Sequence, residues 1–251
     1  VQYRPADDGD LHPAHTALVD SLNQFAAQRA MPLVELDFEE NLPLWRHLLG
    51  AGGKGFLVAE VKKNIAGFCC YIVRDGLWFL SYLAVAPEFQ GTGVGRELFD
   101  RALSEAQGNQ TAKVVAAYTN ASNWPSISLY TRNGIYPRMP VLKLEGSITN
   151  LCEPTQPVEP MPGEVASLDD DTIAPLAALS TDDIAAMLCF CLGRLSSRGV
   201  DMFAVHVPGE NRAALSLLYD RGFKIQDLSL VMSSLPFCKW ENYVISRPSL
   251  L

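Results

Sequence analysis

One stretch constrains the fold of this chain more than any other: Val85, Ala86, Pro87, Glu88, Phe89, Gln90, Gly91, Thr92, Gly93, Val94, Gly95, Arg96. An apolar run from Gly76 to Val85 leads into it and reads as a buried strand. Val94, Leu98 and Leu103 recur at helical spacing after it, with charged residues between them. The stretch is therefore a strand, a glycine-rich turn and a helix N-terminus. Three glycines in five positions leave the main chain bare, so successive N–H groups can point outward at the positive end of a helix dipole. Such a site suits an anion, most often a phosphate or pyrophosphate.

Two common phosphate loops do not fit. A dinucleotide fingerprint needs glycine at its first, third and sixth positions, and counting from Gly91 the sixth is Arg96. A P-loop needs Gly, four residues, then Gly-Lys-Ser/Thr, and no lysine follows here. What remains is Gln90-x-x-Gly93-x-Gly95 after a Val-x-Pro strand end. In this the sequence resembles the GNAT superfamily of acyl-CoA-dependent N-acetyltransferases, whose pyrophosphate loop reads Arg/Gln-x-x-Gly-x-Gly/Ala at a strand-to-helix junction. A second motif agrees. Asn123-x-x-Ser126-x-x-Leu129-Tyr130-x-x-x-Gly134 is similar to the family's Asn-x-x-Ala-x-x-Leu-Tyr-x-x-x-Gly helix, with Ser in place of Ala.

The order of elements is consistent with that resemblance over about residues 1–146. Val1 to Arg4 predicts a strand, and Leu11, Leu18, Leu22 and Phe25 a helix. After an acidic loop, a second helix is expected near Asn41, with Pro43 in its first turn and Leu42, Trp45, Leu48 and Leu49 inward. Strands at Phe56 to Val61, Ile65 to Val73 and Leu77 to Val85 are separated by short turns and read as hairpins. A helix to about Gln107, a strand at Val114 to Tyr118 and a helix from Asn123 to Arg132 follow, the last closing at Gly134. Tyr136 to Leu144 reads as two closing strands around Pro137 and Pro140. The expected class is α+β with a mixed sheet, the GNAT fold, followed by a smaller GNAT-like half.

Pro154, Pro157, Pro160 and Pro162 mark an extended linker. The expected domains are 1–150 (GNAT), 151–163 (linker) and 164–251 (a truncated, degenerate GNAT-like half). In that half Ser180 or Thr181 can cap a helix whose stripe is Ile184, Met187, Leu188, Cys191, Leu192 and Leu195. Asn211 to Gly222 repeats Asn123 to Gly134 at an offset of 88, and the preceding strands align at the same offset. Self-similarity of this kind signals duplication. The second copy has no Gln-x-x-Gly-x-Gly turn, and its Tyr219 stands one position later than Tyr130 does in the first. One working cofactor site is expected.

Composition narrows the partners. A net charge of −8 argues against general nucleic-acid binding, which needs a basic surface, and mildly favours cationic ligands. The 48% hydrophobic content supplies a full core. The six cysteines include no C-x-x-C pair and read as free thiols in a reducing compartment, with no metal site. With no apparent leader and no run of membrane-spanning length, the expected location is cytoplasmic and no membrane partner is expected. A monomer or a homodimer is expected.

The resemblance implies acetyl-CoA as acyl donor and an amine, small-molecule or peptide, as acceptor. Cofactor-binding residues would be Leu83, Ala84, Val85, Gln90, Gly91, Thr92, Gly93, Val94, Gly95, Arg96 and Asn123. The strand residues would pair with the pantetheine arm through their main chain, and an N–H near Val85 would polarise the acetyl carbonyl. Tyr130 would be the general acid, since a phenol is protonated at neutral pH and can donate to a thiolate. The sequence departs from a common family pattern at Ser81, where many relatives carry a glutamate, so no base is named. Water, or Glu35, Asp37, Glu39, Glu40 or His47, could serve. The alternative function is an acyl-CoA-binding or regulatory module with an inactive acceptor site.

Overall fold

A computed structural model describes residues 1–51, 55–108, 112–148, 163–165, 168–169, 172–173, 176–178 and 180–245. Contacts divide the chain into two units, Val1–Ala117 and Tyr118–Leu251.

The first unit is built around strands β1 (Gln2–Pro5), β2 (Phe56–Val61), β3 (Asn64–Arg74), β4 (Leu77–Val85) and the start of β5 (Val114–Asn120). Neighbours from β1 to β4 pair antiparallel in chain order, as the short turns require. β5 pairs parallel with β4, but only from Leu77↔Val114 to Leu80↔Ala117. The rest of β4, Ser81 to Val85, therefore has no β5 partner within this unit. Helices α1 (Leu11–Ala27) and α2 (Phe38–Ala51) lay an apolar face on the sheet. Leu11, Ala14, Leu18, Trp45 and Leu48 close over Phe56, Val58, Phe68 and Ala84. Burying each large side chain of this set contributes roughly 1.5–3 kcal/mol. Helix α3 (Val94–Gly108) is tied to β3 by a hydrogen bond from the Tyr71 hydroxyl to Glu105, 2.8 Å.

Helix α2 starts earlier than expected, at Phe38 rather than near Asn41. The cause is Asp37, whose carboxylate accepts the Glu40 N–H at 2.9 Å and so caps the helix. Pro43 consequently lies one turn inside, where it removes one helical hydrogen bond.

The second unit begins within β5 and continues through α4 (Trp124–Arg132), β6 (Tyr136–Ser147), α5 (Thr181–Ser197), β11 (Met202–Pro208), α6 (Arg212–Asp220) and β12 (Lys224–Ser233). Short strands β7 (Gly163–Val165), β10 (Leu176–Ala178) and β13 (Tyr243–Val244) form a small sheet, and β8 (Leu168–Asp169) pairs with β9 (Thr172–Ile173). β6 is central: it pairs antiparallel with β12 on one edge and with β11 on the other. That pairing is why the contact boundary falls after Ala117 rather than at residue 150. Of the proline-rich linker expected at 151–163, all but Gly163 lies outside the described residues.

β6 is one strand, not the two expected around its prolines. Pro137 sits beside a register shift, where a ladder bond is already interrupted. The Pro140 carbonyl accepts the Gly209 N–H at 2.8 Å, beyond the last β11 pair at Pro208↔Val141. Its nitrogen points the same way, past the end of that ladder, so no ladder bond is lost.

The core of this unit places Ile184, Met187, Leu188, Cys191, Leu192 and Leu195 of α5 with Leu144, Ile148 and Leu218. Ser180 caps α5, accepting the Asp183 N–H at 3.2 Å. No helix among the described residues is long and apolar enough to cross a membrane.

Candidate functional site

At the end of β4 the main chain alternates its hydrogen-bonding direction. The Ala86 N–H donates to the Ala66 carbonyl at 2.9 Å, which marks Ala66↔Ala86 as a bonded pair. By alternation Phe68↔Ala84 is bonded as well, whereas Cys69↔Leu83 and Gly67↔Val85 are not. The N–H and C=O groups of Leu83 and Val85 therefore point away from β3, to the edge that the β5 ladder has left. Ala84 spends its own on β3. Of the three strand residues expected to meet a ligand through the backbone, two face the open edge and one does not.

A single turn of 3₁₀ helix, Pro87–Phe89, then leads into the glycines. Here the amides sort into two groups. The Gln90 N–H goes to the Pro87 carbonyl at 3.2 Å and the Thr92 N–H to the Phe89 carbonyl at 3.4 Å. The Thr92 hydroxyl is also turned inward, 2.6 Å from the Phe89 carbonyl. The first bond of α3 runs from the Glu97 N–H to the Gly93 carbonyl at 3.0 Å. Helix geometry thus leaves the N–H groups of Val94, Gly95 and Arg96 without intrahelical acceptors, gathered at the positive end of α3. Gln90 and Thr92 shape the loop, and Val94 to Arg96 can hold an anion.

The glycines serve separate purposes. Gly91 and Gly93 have φ of +75° and +94°, which other residues rarely adopt, and a Cβ at either would meet nothing within 4 Å. The space beside Gly93 is open. Gly95 has an ordinary backbone, but a Cβ there would lie 3.1 Å from Cγ2 of Val85. It is small because the helix start packs against the strand end. Gln90 ties that end to the loop, donating from Nε2 to the Val85 carbonyl at 3.0 Å and reaching Ser21 Oγ at 3.4 Å. Arg96 stands in the first turn of α3, exposed.

Two contributors escaped the sequence reading. A Cβ at Gly67 would lie 2.7 Å from the Ala84 carbonyl, so this glycine lets β3 approach β4 under the site. Ser21 on α1 is the other, and only its partner in space reveals it. Ser81, where a relative's base would stand, has a buried hydroxyl oxygen with no protein hydrogen-bond partner. Tyr82 beside it stacks on Trp45, ring centroids 5.7 Å apart. Glu35, Asp37, Glu39, Glu40 and His47 are all exposed, and Asp37 is committed to capping α2.

Asn123 and Tyr130 belong to the second unit and share α4. The Asn123 side chain accepts the Ser126 N–H at 3.4 Å and so starts the helix. Tyr130 is buried, 4% exposed, at the last turn before Gly134, whose φ of +77° ends the helix. Among the described residues no group of His, Cys, Asp or Glu could hold a metal ion, and Cys69, Cys70, Cys189, Cys191 and Cys238 form no disulfide.

Residues 18–135 match the model of the Acetyltransferase (GNAT) family. The chain is 31% identical over 83 residues to a Bacillus subtilis (strain 168) protein named as a candidate ribosomal protein bS18-alanine N-acetyltransferase. That match covers 33% of this chain and 54% of the relative, so the chain spans about half that relative's length. Among solved structures, a candidate acetyltransferase from Pyrococcus horikoshii superposes with a TM-score of 0.71 at 17% identity, over 99% of this chain and 95% of its own. A GCN5-related N-acetyltransferase from Sphaerobacter thermophilus gives 0.63 at 16%, over 96% and 98%. At those identities the likeness concerns the fold.

Proposed function

We propose that this chain, which carries a GNAT-family acetyltransferase domain over residues 18–135, transfers the acetyl group of acetyl-CoA to a primary amine. The observation that carries the reading is the strand end and helix start in one piece of backbone: an open β4 edge at Leu83 and Val85, then unclaimed amides at Val94, Gly95 and Arg96. The amides would hold the pyrophosphate. The strand edge would align the pantetheine arm, and the Val85 N–H would stabilise charge on the acetyl oxygen.

The transfer forms a C–N bond to the amine and breaks the thioester C–S bond, leaving the electron pair on sulfur. Tyr130 is the proposed donor of the proton that the sulfur takes up. The attacking nitrogen gives up its proton through solvent. The buried Ser81 hydroxyl, with no protein partner, suits an ordered water in that relay. Asn123 acts as a helix cap in this account. The acceptor class proposed first is a peptide N-terminal amine, since the curated relative is named for acetylating a ribosomal-protein alanine. The exposed carboxylates of Glu35, Glu39 and Glu40 favour an acceptor with positive charge.

The second half is proposed to be a degenerate copy with no donor site. At the offset of 88, Gly93 and Gly95 become Thr181 and Asp183, and Tyr130 becomes Leu218. Ser180 already occupies the start of α5 by accepting the Asp183 N–H, and a carboxylate in that first turn repels phosphate.

A thiol-release assay with acetyl-CoA and a panel of amines tests the reading. Turnover is expected on at least one peptide amine, with a loss of about 10²-fold or more in kcat for Tyr130→Phe, as general acid–base catalysis contributes that much. The Ser81 departure favours a second reading, a module that binds acyl-CoA without turning it over. Tight binding with no thiol release on any amine would select that module.

A further inference from the structure

The repeat at 88 has a counterpart in how the strands of the second unit pair. Any antiparallel ladder has a local two-fold axis at every residue pair. The β6–β12 ladder singles out one of them, Val141↔Ser229, whose members are 88 apart. Around that pair the ladder ends match, Lys224↔Glu145 at one side and Ser233↔Tyr136 at the other. Its two irregularities match too: the register skips Gln226 on β12 and Arg138 on β6, again 88 apart.

Contacts outside the ladder obey the same axis. The Ala121 N–H donates to the Leu228 carbonyl at 2.9 Å, and the Gly209 N–H to the Pro140 carbonyl at 2.8 Å. Each bond is the other with 88 exchanged between its ends. Tyr118 and His206, also 88 apart, face each other edge to face with ring centroids 6.5 Å apart. The caps agree in backbone angle: Asn123 has φ −85° and ψ 71°, Asn211 φ −79° and ψ 73°. Residues after α4 and α6, Gly134 and Gly222, have φ of +77° and +81°.

The axis runs through the two strands that follow those helices, and each strand has left its own copy. β6, which follows α4, pairs with β11 of the second copy, from Met202↔Ser147 to Pro208↔Val141. It contributes Leu144, with Ile148 just after it, to the core beneath α5 and α6. β12, which follows α6, takes the reciprocal seat beside the end of β5, as the Ala121–Leu228 bond shows.

We infer that β6 and β12 are exchanged strands. Each pairs with the strand that precedes the other's helix, β6 with β11 and β12 with the end of β5. This goes beyond the duplication proposed above, because a duplicated half could equally have been a separate domain hung on a linker. Exchange makes it inseparable: without it β6 has no strand on either edge, and Leu144 and Ile148 lose their cover.

The full chain with a protease site inserted after Thr155 tests this. Cut at that site, the two pieces should co-elute as one species at the size of the uncut chain and separate only in denaturant. Pieces that part in native buffer would overturn the exchange. A second variant reads the pairing in the uncut chain, whether or not the inserted site is cleaved. Ser147→Cys with Met202→Cys places two thiols directly across the β6–β11 ladder, where oxidation should link them and peptide mapping should find the bond. A folded double variant that stays unlinked would also overturn the inference. Both readouts are independent of acetyl transfer, so their failure leaves the donor site untouched.

Discussion

At the scale of single residues, the glycines around the donor site separate by cause, and the causes predict different costs. Gly67→Ala should destabilise by about 1–3 kcal/mol, because its Cβ would press on the Ala84 carbonyl, a backbone atom that cannot swing aside. Gly93→Ala should cost about 1 kcal/mol from its positive φ alone, with no clash. Gly95→Ala should cost least, since the Val85 methyl it meets can shift by a few tenths of an ångström. Denaturant midpoints of the three variants would rank them. The spacing of Gly91, Gly93 and Gly95 was readable in the chain because a turn into a helix leaves a local pattern. The reason for Gly95 was not, because Val85 becomes its neighbour only through the fold. Gln90 was named in advance, but its tie to the Val85 carbonyl was not legible, for the same reason.

His206 supplies a pH test at the same scale. Burial, helped by Lys143 and opposed by Asp227, holds its imidazole down to about 4 from an ordinary value of 6.5. Above 6.5 both folded and unfolded states carry it neutral, and it contributes no pH dependence. As pH falls from 6.5 towards 4 the unfolded chain takes up a proton that the folded chain refuses, so stability falls across that window and levels below it. Thermal unfolding followed from pH 8 to pH 4 should show the loss, and His206→Phe should reduce it, leaving the part due to the buried His15, which burial also holds below its ordinary value.

At the scale of elements, the two asparagine caps are alike in backbone and unlike in surroundings. Asn211 is fully buried, accepts the Ala214 N–H at 3.0 Å and donates to the Tyr243 carbonyl at 3.0 Å. Asn123 is half-buried and accepts one N–H at 3.4 Å. Asn211→Ala should therefore cost roughly 2 kcal/mol or more and Asn123→Ala about 0.5–1 kcal/mol. Amide exchange in α6 and α4 reads the difference directly. Both helices were visible in advance, since an asparagine start and a glycine stop are local signals. The start of α2 was missed because Asp37 was read as one acid among several in a loop rather than as a cap. The single strand β6 was missed because its prolines look like breaks until their partners are known.

At the scale of the whole molecule, the GNAT motif order, the hairpins and the repeat were all open to reading from residue pattern. The pairing of β6 was not, because which strand a segment joins is decided by contacts far apart in the chain. That pairing moves the contact boundary to Ala117, well before the prolines. The account of function rests on one claim at this scale: the chain grips the phosphates of an acyl donor with bare amides at a single strand-to-helix junction. Calorimetric titration of acetyl-CoA into the full chain and into Gly93→Trp tests it most directly, with circular dichroism to show that the variant is folded. One molecule bound per chain, with binding lost in the variant, is the predicted result; no binding to the native chain, or binding unchanged in the variant, would contradict it.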